Sequence, residues 1–382
     1  MDYQNLLSVI DSLNDKYCDL WETVCNIESP TGCKERVDAV GDVFVKLAQE
    51  RGWCVDKFTH KNAGNAICIT LNPESKADPV VFSGHIDTVH PVGLFGTPAV
   101  RRDDTCLYGP GVMDCKGGVV ASFMAIDALD RCGFTVRPVK LIIQTDEETG
   151  SKTSDKQTIS FLLNTAKNAV AFLNVEGIQG NTAVLTRKGI LRYRFTIHGK
   201  AAHSAKCVEG ANAIAEAAHK IIRLETMKDA DGLTCNCGVI EGGTVANSVA
   251  AWCSFLADIR FANDEQYKDA VRTIEKVAEE TKIVGCTCEI EKVSDRPAMS
   301  LTDRNVALLE KMNEIYKQSG LPVLTARFCL SGSDAAYTTQ AGIPTIDSLG
   351  VDGGKIHSVN EYAYLDSLAA SAKRLAVIAY GI

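Results

Sequence analysis

The chain has 382 residues, 46% of them hydrophobic and 23% charged, the balance of an ordinary globular protein with room for two or three domains. A formal net charge of -8 gives no reason to expect nucleic acid or an anionic membrane as partner, and no apolar run is long enough to span a bilayer. The opening segment MDYQNLLSVIDSLNDKYCDLW reads as an amphipathic helix and not as a signal peptide, so the 15 scattered cysteines read as reduced core thiols of a cytoplasmic protein.

Leu6, Val9, Ile10, Leu13, Tyr17, Leu20, Trp21 and Val24 recur at helical spacing, and Ser29-Pro30-Thr31-Gly32 ends that helix. A second helix to about residue 51 carries Val37, Val40, Val43, Phe44 and Leu47 on one face. Strands are expected at 66–71, 80–82, 139–143 and 169–173, with helices at 118–129 and 158–165 between them. Strands alternating with helices predict a mostly parallel sheet covered by helices. From about residue 185 the pattern changes to strands at 191–197, 233–241, 248–261 and 287–293, with helices at 210–224 and 265–283. That order, βαββαβ, is the ferredoxin-like unit. The α/β pattern returns after Pro297, with helices at 306–317, from 335 and from 366, and a strand at 344–349. The expected organisation is an α/β domain of residues 1–184 and 298–382, interrupted by a ferredoxin-like insert of residues 185–297. Cys235-x-Cys237 and Cys286-x-Cys288 have strand spacing and lack the second pair a zinc knuckle needs.

Three apolar strands run into polar endings: Ser83-Gly84-His85-Ile86-Asp87, Thr145-Asp146-Glu147-Glu148 and Asn174-Val175-Glu176. Sites in open α/β sheets lie beyond the carboxyl ends of the strands, so these residues are expected to converge. Taken alone, His85 and Asp87 could be an ordinary core pair. Two residues apart on extended backbone, they share a face, and the carboxylate can fix the ring direction that a ligating imidazole needs. Asp114 follows Gly109-Pro110-Gly111 on a tight turn before a helix, and His357 lies on a late loop. Three carboxylates (Asp114, Glu148, Glu176) gathered with His85 and His357 would repel one another if no cation were present. A pair of divalent cations resolves this, and mixed nitrogen and oxygen ligation favours two Zn²⁺, with Co²⁺ or Mn²⁺ as substitutes. Glu147, beside Glu148, is placed to act as general base.

SGHIDTV, GPGVMDCKGG, TDEETGS, GKAAHSA, ADIRFA, SGSDAAY and KIHSVNEY together resemble the motif set of the zinc-dependent exopeptidase and deacylase family. That family includes glutamate carboxypeptidase, aminoacylase, acetylornithine deacetylase and succinyl-diaminopimelate desuccinylase. The chain most resembles the bacterial folate-type glutamate carboxypeptidases, through ADIRFA, DRPA and SDAAYTTQAGIPTIDSLG. The resemblance implies that Asp114 bridges two zinc ions, with His85 and Glu176 completing one site and Glu148 and His357 the other. It implies that Glu147 takes the proton of the attacking water and passes it to the leaving nitrogen, and that Asp87 holds His85. It also implies a cis peptide at Asp114-Cys115. The insert becomes a lid and dimerisation domain, and His203 becomes the histidine that polarises the scissile carbonyl in the partner's site. Without the resemblance, His203 reads as a solvated loop histidine. Arg260, in the apolar strand Phe255–Phe261, suits a substrate α-carboxylate, although Asp258 on the same strand face could pair with it instead. Asn247, Arg296 and Gly332 match family substrate contacts. Cys115 could be imagined as a thiolate ligand, but a packed thiol is the preferred reading.

The leading expectation is a dizinc metallohydrolase that releases a C-terminal amino acid, glutamate foremost, from an N-acyl, folate-like or peptide substrate, working as a homodimer through its insert. The alternative within the family is an N-acyl-amino-acid deacylase or desuccinylase. The remote alternative is a metal-binding protein without hydrolysis.

Overall fold

The structure, a computed structural model, describes residues 2–382. The chain divides into two compact units: one formed by the chain up to Leu185 with 301–328 and 333–382, the other by 186–300 with the short stretch 329–332.

The first unit begins with α1 (Tyr3–Asn26) and α2 (Lys34–Glu50), then β1 (Cys54–Phe58), β2 (Ala66–Leu71), β3 (Val80–His85), β4 (Arg101–Arg102) and β5 (Cys106–Tyr108). It continues with α3 (Lys116–Arg131), β6 (Val139–Gln144), a single 3-10 turn at Glu147–Thr149, α4 (Gln157–Thr165), β7 (Ala171–Asn174) and β8 (Thr182–Arg187). The second unit supplies β9 (Gly189–His198), α5 (Ala213–Leu224), β10 (Thr234–Gly242), β11 (Trp252–Phe261), α6 (Asp264–Glu279) and β12 (Thr287–Arg296). The chain ends with α7 (Asp303–Ser319), β13 (Thr325–Cys329), α8 (Ala335–Gln340), β14 (Thr345–Ile346), β15 (Gly353–Gly354), β16 (Tyr362–Tyr364) and α9 (Asp366–Gly381).

The main sheet has the order β1-β2-β6-β3-β7-β14. β6, β3, β7 and β14 are mutually parallel, and β1 and β2 add an antiparallel edge. It is therefore mixed and mostly parallel. Successive strand residues face opposite sides. Val80 and Phe82 join the large core with α1, α3 and α9, while Val81 joins Ile142, Phe172 and Leu162 of α4 on the other face. Burial on both faces explains why these strands read as continuous apolar runs instead of alternating ones. Among the described residues, no helix is long and apolar enough to cross a membrane.

The second unit runs βαββαβ and forms one antiparallel sheet of order β10-β11-β9-β12. Leu191, Tyr193, Phe195 and Ile197 alternate into a core shared with Phe255 and Ile259 of β11 and with both helices. Phe195 and Phe255 stack with ring centroids 4.7 Å apart and nearly parallel planes.

Several boundaries differ from expectation for local reasons. The expected strand 344–349 keeps only Thr345–Ile346, because Ser348 takes a positive φ of 62°. β11 starts at Trp252 and not at 248, because the Val249 N–H donates to Ala202 and the Ala250 carbonyl accepts from Ala213. α5 starts at Ala213, capped by the Asn212 side chain, which accepts from the N–H groups of Ile214 and Ala215. α6 stops at Glu279 and not at 283, where the Lys220 ammonium reaches the carbonyls of Val277, Ala278 and Glu280. The small sheet β15-β16-β5-β4 was not expected, since its strands are only two or three residues long.

Candidate metal centre

β3 lies between β6 and β7, with His85 opposite Gln144 and Ser83 opposite Asn174. The three carboxyl ends are therefore level. His85 is the last residue of β3, Glu147 and Glu148 follow β6, and Glu176 follows β7. Asp114 arrives from the turn between β5 and α3. Gly111 has φ +74° there, and a Cβ on it would lie 2.9 Å from a Thr88 methyl. Gly118 lets the first turn of α3 approach the end of β7, since a Cβ would sit 2.0 Å from the Val175 carbonyl oxygen. The Asp114-Cys115 peptide is cis, as the resemblance implied. His357 comes from the loop between β15 and β16 and has φ +60°.

All five expected ligands meet in this unit. Asp114 Oδ1 is 3.1 Å from His85 Nε2, and Asp114 Oδ2 is 3.1 Å from His357 Nε2. Glu176 Oε1 lies 3.7 Å from His85 Nε2, and Glu148 Oε2 lies 3.3 Å from His357 Nε2. One carboxylate thus turns one oxygen to each imidazole, with a further carboxylate beside each ring. Potential ligand atoms of His85, Asp114 and Glu148 all lie within 4.8 Å of one another. Two imidazole nitrogens and three carboxylates, Asp114 among them, form a mixed nitrogen and oxygen donor set that could hold divalent metal.

The electrostatics agree with that donor set. Burial alone would depress His85, but its hydrogen bonds to Asp114 and Asp87 hold its proton well above the ordinary imidazole range. Hydrogen bonds to Asp114 and Glu148 push His357 up to about 10. Burial, then the negative charge of Asp114, pushes Glu148 up to about 7. Burial opposes ionisation of Asp114, yet hydrogen bonds from His357 and His85 hold it below the usual carboxylate range. Cys115 is fully buried, its thiol donates to the Val175 carbonyl at 3.1 Å, and burial raises its pKa. That packing suits the preferred reading, although its sulfur also lies within 4.8 Å of potential ligand atoms of His85 and Glu176.

Asp87 does more than the sequence suggested. The His85 Nδ1 atom is 3.1 Å from the Asp87 main-chain oxygen and 3.4 Å from its carboxylate. That carboxylate also accepts from the Glu147 and Glu148 N–H groups, each at 3.2 Å, and from the Thr31 hydroxyl at 2.7 Å. Two further buried acids were given no role from the sequence. Asp146 accepts from Ser154 N and Thr158 Oγ1 and closes the loop after Glu148. Glu361 accepts from three main-chain N–H groups of the turn that ends in Asp114. The only signals were a third acid in TDEETGS and an acid four residues after His357 in KIHSVNEY.

The remaining expected site residues belong to the second unit. His203 Nδ1 accepts from the Ala205 N–H at 3.1 Å, and the Asn247 carbonyl accepts from the next residue, Ser204. Arg260 and Arg296 both sit opposite Ile190, on β11 and β12. A Cβ on Gly332 would lie 2.7 Å from Arg296 Cδ, so glycine leaves room for that side chain. Arg260 pairs with Asp258 at 2.7 Å, the alternative that the sequence left open. Arg192 pairs with the same carboxylate at 2.5 Å. Arg187, not singled out from sequence, holds the 329–332 stretch through the Ser331 hydroxyl at 2.9 Å.

A mostly parallel α/β sheet with a histidine and carboxylate cluster at its carboxyl edge is an arrangement suited to a metal-dependent hydrolase. Among such hydrolases the chain belongs to peptidase family M20/M25/M40, whose family model matches residues 81–380. It is 28% identical over 362 residues to carboxypeptidase G2 of Pseudomonas sp. (strain RS-16), covering 93% of this chain and 85% of that protein. It is 27% identical over 327 residues to acetylornithine deacetylase of Myxococcus xanthus, covering 80% of each. The fold is shared with an M20 family metallo-carboxypeptidase from Sulfolobus solfataricus, with a TM-score of 0.72 at 17% identity over 96% of this chain and 98% of that one. Aminopeptidase PepT from Bacillus cereus shares it too, with a TM-score of 0.76 at 22% identity over 96% and 97%. Family membership makes this protein a hydrolytic enzyme of the metallopeptidase kind.

Proposed function

We propose that this protein is a two-zinc carboxypeptidase that hydrolyses an amide bond to release a C-terminal amino acid, glutamate foremost, from an N-acyl or peptide substrate. The observation that carries this reading is Asp114, with one carboxylate oxygen 3.1 Å from each of two histidines. His85, Glu176 and Asp114 would hold one ion, and Asp114, Glu148 and His357 the other. Bound there, two divalent cations would supply the positive charge that polarises a carbonyl and acidifies water. Glu147 takes the proton of the attacking water and delivers it to the leaving nitrogen. Asp87 keeps Glu147 and Glu148 in place through their main-chain N–H groups.

The second unit supplies recognition. Arg192 and Arg260 share the single carboxylate of Asp258, which leaves one guanidinium charge in excess to meet a substrate carboxylate. Asn247, Arg296 and Gly332 shape the same recognition surface. Because His203 Nδ1 accepts a hydrogen bond, a neutral ring carries its proton on Nε2 and can donate to a developing oxyanion. With its ferredoxin-like order, this unit acts as lid and dimerisation module. Its edge strand β10 exposes Val239 and Ile240, one on each face of the sheet, and the neighbouring α5 exposes Ile214 and Ile222, so the edge offers apolar side chains to a two-fold contact.

The second reading, an N-acyl-amino-acid deacylase, is favoured by the likeness to acetylornithine deacetylase. Both break the same bond and differ in which half of the substrate is recognised. The test is a panel on zinc-loaded protein, varying the C-terminal residue against a fixed acyl group and the acyl group against fixed glutamate. Dependence on a free C-terminal carboxylate and on its side chain supports the carboxypeptidase. Dependence on the acyl group alone supports the deacylase, and equal rates on free acid and amide contradict the first reading.

A further inference from the structure

We infer that Glu361 is a positioning residue for the metal centre, fixing the turn that carries Asp114 against the loop that carries His357. The inference rests on reading the cluster as a two-ion site. Glu361 is 1% exposed. Its Oε1 accepts from the N–H groups of Met113 at 2.9 Å and Asp114 at 3.1 Å. Its Oε2 accepts from Gly111 at 3.2 Å and lies 3.4 Å from His90 Nε2. Its main chain is tied at both ends of the same arrangement. The Gly109 N–H donates to the Glu361 carbonyl at 3.2 Å, and the Glu361 N–H donates to the Ser358 carbonyl at 3.1 Å.

Three converging main-chain donors need an acceptor with two oxygens and no hydrogens, which an ionised carboxylate supplies and an amide does not. One of those donors belongs to Asp114 itself. His357, four residues before Glu361, has a half-exposed ring whose Nε2 faces Asp114 and Glu148. Glu361 bonds the Asp114 turn through its side chain and Ser358, next to His357, through its main chain, so it sets the offset between a shared ligand and the ligand completing one ion's sphere. Partners that orient metal ligands commonly change metal affinity by about 10–100-fold when altered.

The test is Glu361→Gln, which keeps shape but turns an NH2 group toward at least one N–H donor. Glu28→Gln is the control, because Glu28 is also a buried carboxylate and accepts from Gly93 N–H at 2.9 Å and 3.0 Å in a loop that bears no ligand. Zinc affinity is measured by competition with a chromophoric chelator, and ligand geometry by the visible absorption of cobalt-loaded protein. The expected result is a site weakened by about 10–100-fold and a shifted cobalt band in Glu361→Gln, with both unchanged in Glu28→Gln. Parent-like affinities and spectrum in Glu361→Gln overturn the inference, as does the same spectral shift in the control. Should Glu361→Gln not fold, the same two measurements on Glu361→Asp, one methylene shorter, decide in the same way. If the parent itself binds fewer than two ions, it is the two-ion reading that fails.

Discussion

Asp87→Asn separates holding a histidine from holding a catalytic loop. The native carboxylate is fully buried. Its Oδ1 accepts from Glu147 N–H, while its Oδ2 accepts from Glu148 N–H and the Thr31 hydroxyl. Asparagine offers one oxygen, so in either orientation its NH2 group meets one of the two main-chain donors. The variant loses a hydrogen bond to a charged group, about 1.5–3 kcal/mol, and leaves a buried donor unmet, about 1–3 kcal/mol. These overlap, and metal-free protein should lose about 2–4 kcal/mol in a denaturant titration. Because the displaced N–H belongs to Glu147 or Glu148, kcat/KM at saturating zinc should also fall about 10–100-fold. Thr31→Val, which removes only the hydroxyl donor, should cost about 1 kcal/mol and leave the rate near parent. If Asp87→Asn loses the stability but keeps the parent rate at saturating zinc, Asp87 is a core carboxylate and does not position Glu147.

Arg260→Lys should raise KM for free-acid substrates with little change in kcat, because an ammonium cannot make the planar two-point contact; an unchanged KM would move the carboxylate site elsewhere. Mixing Glu147→Gln with His203→Ala, each nearly inactive alone, should restore about a quarter of parent activity after subunit exchange, since about half the dimers are mixed and each holds one whole site. No recovery, with exchange shown by mass, would place His203 in its own chain's site or in none. Asp127 is hydrogen bonded by Arg51, Tyr17 and Arg131. Burial opposes its ionisation, but Arg51 and Tyr17 hold it below its ordinary 3.8. Its contribution is therefore complete above about pH 4 and lost as pH falls through the lower folded value. Metal-free parent should lose stability more steeply below pH 4 than Asp127→Asn, and parallel slopes would contradict this.

The convergence of the candidate ligands was legible because ligand chemistry and strand ends coincide in the sequence. His85, Glu148 and Glu176 each follow an apolar run that is buried on both faces, so the end of the run marks the site. The cis peptide came from the motif around Asp114, not from any local preference of Asp-Cys. Glu361 and Asp146 were not legible, because what marks them is main-chain donors brought close by folding: Glu361 meets amides about 250 residues earlier. The early start given to β11 came from an apolar stretch whose first amides bond elsewhere, to Ala202 and Ala213. Arg260 could be read either way, since a guanidinium beside a same-face carboxylate has the same spacing whether it serves a substrate or a neighbour. What the sequence hid was that Arg192 shares that carboxylate.

The most direct test is zinc titration of metal-free protein while glutamate release from an N-acyl-glutamate is followed. Activity should be absent without metal, rise with added Zn²⁺ and level off near two equivalents per chain, with cobalt able to replace zinc. Full activity in metal-free protein, or zinc binding at two equivalents with no hydrolysis of any acyl-amino acid, would contradict the account.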